Sequence, residues 1–151
     1  MAAKSTAQTA EAREKQRRAS IDDLLAKKPL TKVARIQSGD EVLEVEFRSI
    51  GRKAYADLVE KHTHNVEAEK TDDRGNIVKD KKGEVVYEKQ DQLDTEAFLP
   101  ELISASAVDP EISVDQAKMF YDTWNSPEFD ELAMAAWTVN TSNKVEKQGN
   151  A

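Results

Sequence analysis

Between Asp94 and Asn140 apolar residues are dense, and helix start and stop signals follow one another in order. No other long stretch of the chain combines the two, so this segment must build helices that bury a common face. Asp94 or Thr95 can cap a first helix, with Pro100 placed in its first turn. Leu99, Leu102, Ile103 and Ser106 then line one side. Val108-Asp109-Pro110 breaks the pattern. Ser113-Val114-Asp115-Gln116 fits a capping box and opens a second helix that runs to about Trp124, with Ala117, Phe120, Tyr121 and Trp124 inward. Ser126 reads as the cap of a third helix, with Pro127 at its first position and Glu128 and Asp130 close behind. Its inner face would be Phe129, Leu132, Ala133, Ala136 and Trp137.

Upstream the periodicity changes from helical to alternating. Lys32-Val33-Ala34-Arg35-Ile36 reads as one strand, and Ser38-Gly39-Asp40 supplies turn chemistry. In Leu43-Glu44-Val45-Glu46-Phe47-Arg48 the apolar residues alternate with charges, as in a half-buried strand. A two-stranded hairpin is marginal alone, so its apolar face must lie on the helices. Ser20 caps a short helix over 21–26 with Asp22 and Asp23 in its first turn, and Pro29 follows. After Gly51, residues 53–61 read as a helix with Ala54, Tyr55, Leu58 and Val59 on one face. The expected fold class is α+β: an N-terminal β-hairpin packed on a small C-terminal helical bundle.

Three segments stand apart from that domain, which spans residues 20–140. Residues 1–19 read as a flexible charged arm with nothing to bury. Residues 64–92 read as a polar insert, either an exposed hairpin or a flexible loop. They contain a small repeat, Asp72-Asp73-Arg74-Gly75-Asn76-Ile77-Val78 and Asp80-Lys81-Lys82-Gly83-Glu84-Val85-Val86. Each copy has Asp, a Gly three residues later, and then a β-branched pair. Residues 141–151 read as a disordered tail.

Composition narrows function mainly by exclusion. A chain of 151 residues with 38% hydrophobic and 34% charged residues supports one modest core with long solvated segments. A net charge of -7 argues against a general nucleic-acid partner. Arg13, Lys15, Arg17 and Arg18 form a small basic cluster without aromatic stacking groups, which reads as a solvated arm. There is no cysteine, so no disulfide framework and no thiolate chemistry. No apolar run approaches the roughly 20 residues that span a bilayer, and the N-terminus lacks the apolar core of a signal peptide. A soluble cytosolic protein is expected.

No constellation of catalytic groups emerges. His62 and His64 form an i, i+2 pair beside an acidic segment but lack further metal ligands at suitable spacing. Asp72, Asp73 and Asp80 miss the ligand spacing of an EF-hand loop and read as surface turns. Nucleotide-binding and hydrolase motifs are missing. A non-enzyme without cofactor or metal is expected. The aromatics Phe120, Tyr121, Trp124, Phe129 and Trp137 either form the helical core or line a groove for a partner helix. Ala133, Ala135 and Ala136 beside Met134 would let another helix approach closely.

Several segments in order resemble one family. They are Phe47-Arg48-Ser49-Ile50-Gly51-Arg52-Lys53, the helix with Tyr55, Leu58 and Val59, and Phe98-Leu99-Pro100-Glu101-Leu102-Ile103-Ser104-Ala105-Ser106. Val108-Asp109-Pro110-Glu111 and Trp124-Asn125 follow, with a short acidic last helix ending in Val139-Asn140. Over roughly residues 30–140 the chain resembles the tail assembly chaperones of long-tailed, siphovirus-type bacteriophages, in particular those infecting actinobacteria. The long polar insert departs from compact versions of the family. The resemblance implies a non-catalytic factor of the host bacterial cytoplasm that is absent from the mature virion. It would bind the tape-measure protein, a very long helical chain, and keep it soluble while tail-tube subunits polymerise around it. It also implies two translation products, the longer made by programmed ribosomal frameshifting, with this chain as the shorter.

On that reading the partner-binding surface lies near Phe98, Leu102, Phe120, Trp124, Phe129 and Trp137. The tail-tube protein, the frameshifted longer form and further copies of the chain are additional expected partners, the last through an edge of the 32–50 hairpin. The competing readings are a structural virion component, such as a tail or head–tail connector subunit, and a small regulatory adaptor.

Overall fold

A computed structural model describes residues 16–142. The element order is α1 (Ile21–Leu25), β1 (Thr31–Ser38), β2 (Glu41–Arg48), α2 (Arg52–Lys61), β3 (Thr63–Glu69), β4 (Tyr87–Leu93), α3 (Thr95–Ser106), β5 (Ala107–Asp109), α4 (Val114–Thr123) and α5 (Ser126–Thr141). The fold class is α+β, with the N-terminal hairpin and C-terminal helices as expected.

The register of the hairpin selects what is buried. Ala34 faces Val45, and Ser38 faces Glu41 across the Gly39-Asp40 turn. Side chains alternate along a strand, so Ala34, Ile36, Val45 and Phe47 share one face, and all four are buried. Leu43 belongs to the same face but sits next to the turn, where the cover ends and it stays exposed. Helix α5 lies across β1 and β2. Ala133 and Ala136 are buried in the chain's own core, as their place on the inner face implies, and Ala135 is buried with them, so the alternative of an external helix approaching these alanines does not hold. Such small side chains let a helix and a sheet approach closely.

Val108 and Asp109 end α3, as expected, but the same residues build a third strand. Strand β5 pairs antiparallel with β2, giving the sheet order β1-β2-β5. Helix α3 packs on α2, α4 and α5. Phe47, Phe98, Leu102, Ile103 and Leu132 are fully buried in one connected core.

The helix caps follow the sequence with two shifts. Asp94 Oδ1 accepts from Ala97 N, and Ser113 Oγ accepts from Gln116 N while Gln116 Oε1 accepts from Ser113 N. Pro100, however, is the sixth residue of α3 and so lies in its second turn. It is buried there and offers no N–H to the Glu96 carbonyl. The cap of α5 is Asn125, whose Oδ1 accepts from Glu128 N at 3.0 Å; Ser126 is the first helical residue and Pro127 the second. Two adjacent short polar residues competed for the cap, and the asparagine took it.

The insert is an ordered hairpin. Strands β3 and β4 pair from Thr63↔Leu93 to Glu69↔Tyr87. Beyond them the repeat forms two matching turns. Asp72 Oδ1 accepts from Arg74 N and Asn76 N, and Asp80 Oδ1 accepts from Lys82 N and Glu84 N. Gly75 and Gly83 take φ of 82° and 81°, a left-handed region open to glycine at little cost. The turns are clipped by the pairs Thr71↔Ile77 and Lys79↔Val85. Lys70, Val78 and Val86, eight residues apart, close a ring: Val78 N donates to Lys70 O, Val86 N to Val78 O, and Lys70 N to Val86 O. Three hairpin arms therefore meet at one junction.

The expected arm and tail fall mostly on residues 1–15 and 143–151, with Arg13 and Lys15 among them, which lie outside the described residues. Thr141 ends α5, and Ser142 is its C-cap. Arg17 forms an exposed ion pair with Asp23 at 2.7 Å, and Ser20 and Asp23 complete the capping box of α1.

Candidate partner-binding groove

The site grows from the turn between β2 and α2. Gly51 has φ 91°, which a side chain would strain. The turn directs α2 back over the core. Tyr55, Leu58 and Val59 face inward and are half-buried, whereas Ala54, expected beside them, is exposed.

Phe98 of α3 is the hub beneath α2. The rings of Tyr55, Trp137 and His62 all meet it edge-on, at centroid distances of 6.2, 6.0 and 6.3 Å. Tyr55 also meets Trp137 edge-on at 6.2 Å. Edge-to-face contacts of this kind hold rings in fixed relative orientations. Burial pushes the Tyr55 hydroxyl pKa up. The cluster continues into a polar clamp. His62 Nε2 donates to Glu101, because a carboxylate can only accept, and Lys61 Nζ donates to the other oxygen at 2.8 Å. These two donors hold the Glu101 carboxyl below its usual pKa range.

Asn140 fixes the opposite wall. Its Oδ1 accepts from Ile50 N at 2.9 Å, and its Nδ2 donates to Ser106 Oγ and Ala136 O at 2.9 and 2.8 Å. One side chain thus ties the start of α2 to α3 and α5. Between the walls runs an open groove of about 700 Å³. Tyr55, Ala56 and Val59 line it together with Arg52 and Glu60 of the same helix, Ser49 and Gly51 before it, Thr63 after it, and Asn140 and Thr141 of α5. Such a concave, mainly apolar channel can receive the side chains of an apolar helix face.

The six expected partner-binding residues do not form one surface. Phe98 and Leu102 are fully buried and Phe129 is 5% exposed, so no partner touches them in the folded chain. The helical stripes that carry them are consumed by the core. Phe120, Trp124 and Trp137 are half-buried at its edge. Phe120 stacks on Trp124 at 4.4 Å, while Tyr121 meets Phe129 edge-on at 5.2 Å. Trp137 joins the groove indirectly, by supporting Tyr55. The helical spacing puts Tyr55 and Val59 on an inner face but assigns them no site, and nothing local to Asn140 announces its three bonds.

A second, acidic recess lies at the foot of the β3–β4 hairpin. Two adjoining cavities of about 400 Å³ share Asp94, Glu96 and Tyr121. Residues 90–142 hold eleven acidic side chains and a single basic one, Lys118. His64 borders this recess and His62 serves Glu101, so the two histidines have separate surroundings. Asp72 and Asp80 are engaged by backbone N–H groups of their turns.

Comparison with protein families, curated proteins and solved structures finds no match for this chain. Among the described residues, no helix is long and apolar enough to cross a membrane.

Proposed function

We propose that this chain is a tail assembly chaperone of a long-tailed bacteriophage. It works in the host cytoplasm, binds the tape-measure protein without catalysis, and keeps it soluble until the tail tube surrounds it. The observation that carries the reading is the apolar groove over Tyr55, Ala56 and Val59, because a long helical client needs a channel that takes its apolar stripe. The acidic excess of residues 90–142 supports it, since net charge opposes self-aggregation of a loaded complex. The client-facing residues are therefore Tyr55, Ala56 and Val59, supported from beneath by Trp137. Phe98, Leu102 and Phe129 act from the interior as scaffold.

The test is co-expression with the tape-measure protein of the same genome. Soluble co-elution of the client is expected, with loss of the client on Ala56→Arg, which blocks the groove from an exposed position. An insoluble client that neither this chain nor a frameshifted longer form rescues would refute the proposal. Detection of the chain in purified virions by mass spectrometry would favour a structural component instead.

A further inference from the structure

The β3–β4 ribbon is a two-stranded sheet, so each of its strands keeps one open edge. The bonding phase of the ladder is set at both ends: Asp94 N donates to His62 O and Lys70 N to Val86 O, each at 2.8 Å. In an antiparallel ladder every second pair exchanges hydrogen bonds, so the bonded pairs are His64↔Gln92, Val66↔Gln90 and Ala68↔Glu88. Tyr87, Lys89, Asp91 and Leu93 therefore turn their N–H and C=O groups away from β3, along the free edge of β4. Such an edge is a template for one more strand. It is also the more open of the two. Every residue of β4 except Leu93 is exposed, whereas Thr63, Val66 and Ala68 of β3 are half-buried.

The order of side chains along β4 says which strand fits it. Tyr87-Glu88-Lys89-Gln90-Asp91-Gln92-Leu93 is complementary to its own reverse. Turned antiparallel about Gln90, Tyr87 meets Leu93 of a second copy, Glu88 meets Gln92, Lys89 meets Asp91, and Gln90 meets Gln90. All seven residues then pair, and the outward-turned residues face one another as bonded pairs. An axis one residue to either side would set Lys89 on Lys89 or Asp91 on Asp91, and like charges directly opposite destabilise a sheet. Strand β3 has no such order. It carries Glu67 and Glu69 without Lys or Arg, so pairing with itself would gather carboxylates alone.

The charges that the pairing uses are available. Among the described residues Lys89 forms no ion pair. Asp91 Oδ1 accepts from Asn65 Nδ2 at a long 3.5 Å. Lys89 stands opposite Glu67 in its own ribbon, so in the joined sheet it would lie between two carboxylates, Glu67 and Asp91 of the second copy.

We propose that β4 pairs antiparallel with β4 of a second copy about a two-fold axis at Gln90, joining two ribbons into one four-stranded sheet. The same surface serves on both copies, so the assembly closes as a dimer. Backbone groups hold the strands together, and the Lys89–Asp91 pairs set the register. Neither the groove nor the client takes part, so the dimer stands or falls separately from the chaperone reading.

The test is the mass of the full chain in solution by analytical ultracentrifugation over a concentration series. The wild type should approach twice the 16.9 kDa chain mass as concentration rises. Lys89→Asp and Asp91→Lys, both at exposed positions, should each remain at the single-chain mass with unchanged circular dichroism. Mixing the two variants should restore a dimer, because every cross-strand pair then joins opposite charges. Register is read by cross-linking. Gln90→Cys, in a chain with no cysteine of its own, should link to itself on mild oxidation, because Cα atoms facing each other at the axis lie about 4.5 Å apart. Glu88→Cys should not link, since its two copies stand about 14 Å apart along the strands. A wild type at the single-chain mass throughout overturns the proposal, as does a mass that climbs past two copies. So does a dimer indifferent to Lys89→Asp, a mixture that fails to associate while both variants remain folded, or cross-linking through Glu88→Cys in place of Gln90→Cys.

Discussion

Phe47, Phe98, Leu102, Ile103 and Leu132 have no exposed surface, whereas no side chain between Thr63 and Leu93 is buried. Both regions are nevertheless ordered. Around Phe98 order comes from side chains meeting across α2, α3 and α5. In the hairpin insert it comes from backbone pairing, two aspartate-centred turns and a ring of three hydrogen bonds. The contrast shows that low hydrophobicity alone does not mark a segment as structureless. Turn chemistry repeated in register can order a ribbon that buries almost nothing.

The largest expected effect separates the two regions directly. Phe98→Ala should destabilise the fold by about 3–5 kcal/mol, because it empties the centre of the aromatic cluster. Val78→Ala, at the ribbon junction, should change global stability by under about 1 kcal/mol. Urea denaturation of both variants measures this. Equal losses would mean that the ribbon is part of the cooperative core.

Asn140→Ala comes next. It leaves Ile50 N–H and Ser106 without the groups that serve them and should cost about 1–3 kcal/mol. Asn140→Asp keeps an acceptor for Ile50 but loses both donations from Nδ2, so it should separate the two halves of the tie. The readout is urea stability together with amide exchange at Ile50, which should accelerate in the alanine variant more than in the aspartate one.

These two sites also show what the sequence made legible. Alternation in β2 and the capping boxes of α1 and α4 identify elements from within a few residues, so the hairpin and the helices could be placed. Strand β5 could not. Three residues carry no period of their own, and only pairing with β2 makes them a strand. The aromatics of the last helices stood out as a candidate surface because periodicity shows a face but not what covers it. The covering elements are α2 and the sheet, which lie far away in sequence. Asn140 was silent for the same reason: its partner Ile50 is 90 residues distant.

The Glu101 clamp gives a pH-dependent version of the contrast. Its carboxyl is held below its usual value near 4.5 by His62 and Lys61. A depressed carboxylate pKa stabilises the fold above the unfolded value, and that contribution is lost as pH falls through the folded one. Glu101→Gln should therefore flatten the fall in stability below about pH 4.5, and it should do so by a modest amount because the group is partly solvated. Urea midpoints between pH 3 and 6 would show it; parallel curves for wild type and variant would remove the clamp from the account.

The smallest effect is expected where a whole repeat is removed. Residues 71–78 and 79–86 are two eight-residue arms of the same junction. If 79–86 are deleted, Val78 is joined to Tyr87, and the pairs Thr71↔Ile77, Lys70 with Val78 and Glu69↔Tyr87 fall in one continuous antiparallel register. Deleting 71–78 gives the same outcome through Lys79↔Val85 and Lys70 with Val86. Either deletion converts a three-armed junction into a plain hairpin without moving β3 or β4. The body should then keep its stability to within about 0.5 kcal/mol, as for changes away from the core. Cross-strand contacts between Glu69 and Tyr87, observed by nuclear Overhauser effects, should persist in both deletions. Loss of those contacts in only one of them would show that the two arms are not equivalent and that one of them sets the register of the ribbon.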